Sequence, residues 1–235
     1  LTIASTGMTN GIALPDNRTS TIYLNSGNTG TLTGNAAIST LTIDAPQLNI
    51  AGLASNSGNL SLLFVKNATT FSQADTVINT NGGRLFLGGQ IQAAGKTITK
   101  IGTQDLVLTH TETGGSQNQV GLWKVYGGTL NPRVANGASN PLGSNVTVEL
   151  NGGTTGTNHL NLNSDGNGTG LSERVTTFQD TSVRFGSPLP VSSNEFVMSG
   201  ASRLNVDRVL GNNSTKTVVI NSLEAAGALG SPYVY

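Results

Sequence analysis

Twelve acidic residues, twelve basic residues and two histidines are the main stock of groups for acid–base or metal chemistry, and cysteine is absent. A polysaccharide lyase or glycosidase needs carboxylates a few ångströms apart, often with Arg or Lys alongside. Here the acids are scattered: no two lie within five positions, and the nearest pairs are Asp105 with Glu112 and Glu173 with Asp180. A chain that coils back on itself would still bring together residues such as Glu173 and Glu195, or Arg184 and Arg203, one coil apart. His110 and His159 each stand among Thr, Leu and Asn, with no His-x-x-x-His or paired carboxylate to complete a zinc site. Ser and Thr abound without a matching base and orienting acid, so they read as turn and ladder residues. The expectation is a protein with no catalytic residue and no cofactor.

Two stretches have the residue types for binding. The loop at 163–170 carries Asp165 and Asn167 in an Asp-x-Asn-x-Thr-Gly order similar to the start of a calcium loop. Its twelfth position is Thr176 where a bidentate Glu would be needed, so the expectation is a turn, with Asp165 and Asn167 the calcium candidates. Trp123, the only Trp, lies near Lys124 and Tyr126, and the two aromatics are candidates for a sugar-stacking platform. Alternation sets Trp123 on one face with Val125, which favours packing over sugar binding.

Any of these groups would have to be held by strands. Charged residues are only 10% of the 235, against about a quarter in ordinary soluble proteins. Apolar residues are 36% and the formal charge is +0, which separates the chain from disordered, highly charged sequences. Val, Ile and Leu alternate with Thr and Asn in short runs, a period-two pattern of half-buried strands. Such runs occur at 21–25, 29–33, 40–44, 47–50, 59–65, 76–79 and 84–87, then at 97–101, 105–109, 121–126 and 145–150. Further ones lie at 159–163, 182–185, 195–198, 203–206 and 217–220, separated by turn signals such as Asn81-Gly82-Gly83. No amphipathic helix of ordinary length and no apolar run long enough to span a bilayer is present. Without a Lys/Arg cluster the chain lacks the electrostatic footprint for nucleic acid, and no membrane insertion is expected.

Self-similarity chooses among all-β architectures. An Ala-x-x-x-Leu-Gly-Ser step at 138–144 recurs at 225–231, about four or five coils later if a coil takes roughly 20 residues. A parallel β-helix fits this composition. Stacked coils pair each strand with the coils above and below, burying Val, Ile and Leu and letting Asn, Thr and Ser form ladders. Charge is costly in such a ladder wherever like charges face each other.

The stretch 96–153 resembles the autotransporter-associated β-strand repeat of large bacterial surface proteins. Thr97-Ile98-Thr99-Lys100-Ile101-Gly102-Thr103-Gln104-Asp105-Leu106-Val107-Leu108 is similar to that family's K-x-G-x-G-x-L-x-L strand pair, with Gln104-Asp105 where Gly is more usual. Gly127-Gly128-Thr129-Leu130 resembles its G-G-T-L turn, and residues 140–148 resemble its A-L-G-S-G-x-V-x-V step. The resemblance implies an all-β, right-handed parallel β-helix (β-solenoid) and an extracellular setting on a bacterial cell surface. The expectation is that 1–235 forms a single solenoid segment of a longer chain, with roughly a dozen rungs and uncapped ends. Its expected role is structural, as part of a secreted fibre or stalk that self-associates or continues into further repeats. An adhesin binding glycan or host protein through the solenoid flank is the second reading, and a polysaccharide-active enzyme the third.

Overall fold

Alternation of apolar and polar residues governs the computed structural model, which describes residues 2–3, 10–14, 18–24, 35–52, 61–109, 120–134, 138–151, 158–164, 172–186, 202–207 and 215–225. Those residues form strands and no helix. The first strands are β1 (Thr2–Ile3), β2 (Ile12–Leu14), β3 (Ser20–Leu24), β4 (Asn35–Ile38), β5 (Leu41–Ile43) and β6 (Gln47–Gly52). They continue as β7 (Ser61–Val65), β8 (Thr69–Phe71), β9 (Asp75–Asn79), β10 (Gly83–Leu87), β11 (Ile91–Gln92) and β12 (Thr97–Ile101). Next come β13 (Asp105–Leu108), β14 (Leu122–Val125), β15 (Gly128–Val134), β16 (Thr147–Leu150) and β17 (Asn158–Ser164). The last are β18 (Ser172–Val175), β19 (Ser182–Phe185), β20 (Ser202–Asp207), β21 (Thr215–Val218) and β22 (Ser222–Ala225).

These strands make one nine-stranded sheet (β1-β3-β6-β9-β12-β14-β16-β19-β22), one of seven (β20-β17-β15-β13-β10-β7-β4), one of four (β11-β8-β5-β2) and the pair β18-β21. Every pairing between strands is parallel. From β3 to β11 the chain visits the nine-, seven- and four-stranded sheets in that order, three times over. After β11 the four-stranded sheet ends, and up to β17 the chain alternates between the other two.

Strand parity explains the core. Side chains two apart share a face, so Leu63 and Val65, Leu85 and Leu87, and Leu106 and Leu108 all turn inward and are buried. Strand-to-strand register then lines up Ala36, Leu63, Leu85, Leu106, Leu130, Leu160 and Leu204. Each fully buried leucine of this row is worth about 1.5–3 kcal/mol over exposure. The nine-stranded sheet contributes Ile98, Trp123, Val148 and Val183, and the four-stranded sheet Ile12, Leu41 and Ile91, to the same continuous core. Where the four-stranded sheet is missing, Leu142 and Val146, in the connection between β15 and β16, join that core.

The longest sheet holds nine strands among the described residues, where about a dozen layers were expected. Paired positions lie farther apart than 20 residues: Asn49 bonds Thr21 across 28 positions and Asn221 bonds Ser182 across 39. Long connections therefore consume chain without adding layers. The expected strands at 29–33 and 195–198 lie outside the described residues. The strand expected at 145–150 begins two residues late, because Asn145 has a φ of 51° and cannot continue a pleated strand. The Gly127-Gly128 turn falls at the corner before β15, with Gly128 at φ +65°, and the strand then runs on through Pro132 to Val134, where none was expected.

Candidate functional site

The outward rows hold hydrogen-bonded polar ladders. Asn163 Nδ2 donates to Asn131 Oδ1 at 2.6 Å, Asn205 Nδ2 to Asn161 Oδ1 at 2.7 Å, and Thr70 Oγ1 to Gln92 Oε1 at 2.9 Å. Charge sits on these rows too, with its signs alternating. Lys124, Glu149, Arg184 and Glu224 are successive register partners, and Arg184 Nε lies 3.1 Å from Glu224 Oε2. On the seven-stranded sheet Arg84 Nε lies 3.4 Å from Asp105 Oδ2. The expected like-charge penalty is thus avoided by pairing opposite signs rather than by excluding charge.

Lys100 breaks the inward pattern. Its register partners are Ile78 and Val125, and its side chain is fully buried. Nζ donates to the carbonyls of Ile101 (2.9 Å), Gly102 (3.0 Å) and Gly127 (2.8 Å), so one ammonium ties the corner after β12 to the corner before β15. Burial pushes its pKa down from 10.5 to about 7, against the opposing attraction of Asp105. Gly128 accommodates the tie: its φ is +65°, and a Cβ there would lie 2.4 Å from the Gly102 carbonyl oxygen. Parity with buried Ile98 is the sequence signal for an inward Lys100.

His159 lies on the outward side of β17, between Thr129 of β15 and Arg203 of β20. Its Nδ1 is 3.1 Å from Asn205 Nδ2. An amide nitrogen only donates, so Nδ1 accepts and the ring proton resides on Nε2. Burial first, then Arg203, holds the imidazole below its ordinary 6.5, with Asp105 pulling the other way.

The remaining candidates are dispersed. Trp123 is buried, with Nε1 donating to the Leu142 carbonyl at 2.9 Å, so its ring pins the β15–β16 connection and offers no face to a sugar. Tyr126 is half-buried, its hydroxyl 3.4 Å from Glu149 Oε1. The indole lies inside the core with Val125, on the face that alternation assigns to it, so these two aromatics form no platform. Asp165, Asn167, His110 and Glu195 lie outside the described residues. Arg184 and Arg203 belong to different sheets, where Arg184 meets Glu224 and Arg203 is in register with His159. Among the described residues no three His, Asp or Glu side chains gather as a metal site, and no helix is long and apolar enough to cross a membrane.

This is an all-β protein of parallel sheets around one core, whose ionisable groups meet in ladders and corners. Comparison of the chain with protein-family models, with curated proteins and with solved structures found no match.

Proposed function

We propose that this chain is a segment of a right-handed parallel β-helix serving as a rod in a secreted bacterial surface fibre or stalk, of the autotransporter-associated repeat kind, and that it catalyses no reaction. The observation that carries the reading is the in-register row from Ala36 to Leu204, in which each layer buries the apolar face of the next. A stack of this kind gains length and stiffness together, because every added layer extends it by about 4.8 Å and seals one more stretch of core. Nine stacked strands correspond to roughly 40 Å of rod. The likeness of 96–153 to the repeat supports the extracellular setting. Alternating charges and amide ladders, with Glu149, Asn131 and Asn163 buried among them, support stacking in register.

Electron microscopy of the native particle tests the proposal. Rods of constant width, joined into filaments or continuing as one long stalk, are the expected result. X-ray diffraction from aligned material should place a reflection near 4.8 Å along the rod axis. An isometric particle, or that reflection across the axis, would refute it.

A further inference from the structure

We propose that His159 is an acid-operated latch, holding strand β20 on β17 while neutral and releasing it when protonated. This does not rest on the fibre reading. Among the described residues β20 is the edge strand of the seven-stranded sheet, with β17 as its neighbour. The two strands pair from Asn158↔Ser202 to Asn163↔Asp207, with His159 beside Arg203 and Asn161 beside Asn205.

The hydrogen bonds at this place have one polarity. Asn205 Nδ2 uses one hydrogen on His159 Nδ1 and the other on Asn161 Oδ1. Protonation puts a hydrogen on Nδ1, where it faces an NH2 group and has no acceptor. Turning the Asn205 amide would offer Oδ1 to the imidazolium but set it against Asn161 Oδ1, so Asn161 would have to turn as well. Both amides must reverse together, the part-buried ring must turn away from Asn205, or the strand must leave.

The charges favour leaving. Arg203 approaches the ring from β20, and Thr129 on the β15 side brings no charge. Asp105, one strand beyond Thr129, opposes Arg203 at the ring, and it already pairs with Arg84. Burial and Arg203 depress the imidazole's pKa in the paired state, whereas an opened strand returns it toward 6.5. The opened state therefore binds the proton more tightly, and acid favours it. Below both values, opening is enhanced about tenfold for each pH unit between them. Release of β20 also bares the backbone groups of β17 as an edge that another strand could pair with.

Hydrogen exchange on the full chain between pH 7.5 and 5, corrected for the intrinsic pH dependence of exchange, tests the latch. Protection across 158–164 and 202–207 should fall in acid while that of 85–87 and 106–108 holds. His159→Gln should abolish the fall, Arg203→Gln should shrink it, and His110→Gln should leave it intact. The same fall in His159→Gln, or an equal loss in all sheets, would overturn the proposal. If His159→Gln does not fold, titration of the His159 C2 proton by NMR decides: a midpoint above 6.5 overturns the latch and one below it supports it.

Discussion

Replacing Lys100 by Met separates the two effects that meet at the buried amine. The ammonium has three hydrogens and three carbonyl acceptors, those of Ile101, Gly102 and Gly127. A neutral amine has two hydrogens, and the Ile101 carbonyl can best be given up because Thr80 N–H also donates to it at 3.1 Å. The neutral form therefore keeps both corners tied. With a folded-state pKa of about 7 against 10.5, the unfolded chain holds the extra proton across that window. Stability then rises with pH by up to about 1.4 kcal/mol per pH unit, from pH 7 to about 10.5, and is flat in this group on either side. The ceiling is about 5 kcal/mol, reduced to the extent that the three carbonyls hold the ammonium. Lys100→Met removes this slope and leaves the Gly102 and Gly127 carbonyls without the amine, at about 1–3 kcal/mol each. Urea midpoints at pH 6.5, 8 and 9.5 read the difference, and subtracting the variant cancels the other lysines and tyrosines. The parent chain should gain on Lys100→Met as pH rises. A difference independent of pH would refute the claim that burial dominates at this amine.

Three further substitutions probe the stack. Leu106→Ala, in the middle of the leucine row, should cost about 2–5 kcal/mol in denaturant unfolding, and a cost below about 1 would mean that the row is not close-packed. Gly128→Ala forces a side chain into φ +65° and against the Gly102 carbonyl, so destabilisation above about 1–2 kcal/mol is expected by the same measurement. Trp123→Phe keeps most of the ring but leaves the Leu142 carbonyl without its indole donor. Thermal unfolding should register a loss of about 1–3 kcal/mol, and near-ultraviolet circular dichroism should lose its indole signal.

Strand positions were legible wherever parity alone decides. Residues 47–50, 84–87 and 182–185 set Leu48 and Ile50, Leu85 and Leu87, and Val183 inward at alternate positions, and each falls within a strand of the fold. The strand after the Gly127-Gly128 turn was not legible: Gly128 turns the corner at φ +65°, and β15 then runs on through Pro132 to Val134 between β13 and β17. The site residues were less legible, because their meaning depends on neighbours distant in sequence. His159 looked solitary among Leu and Asn, and its charged neighbours come from Arg203 and Asp105. Trp123 was legible as a packing residue from its parity with Val125, but its indole's acceptor, the Leu142 carbonyl, lies 19 positions away.

The same distance explains why a fixed repeat was so faint. Ladder partners are separated by 22 positions at Thr70 and Gln92, 32 at Asn131 and Asn163, and 44 at Asn161 and Asn205. Packing constrains the strands, since a slip of one residue would turn Leu106 or Leu130 out of the core. Connections on the surface carry no such constraint, so they lengthen freely at a loop-closure cost of only about 0.6 kcal/mol per doubling. Packing therefore fixes parity within each strand and leaves the interval between strands free to vary. The order resides in what each residue stacks upon, and a search for one constant offset sees only those few layers whose connections have kept equal length.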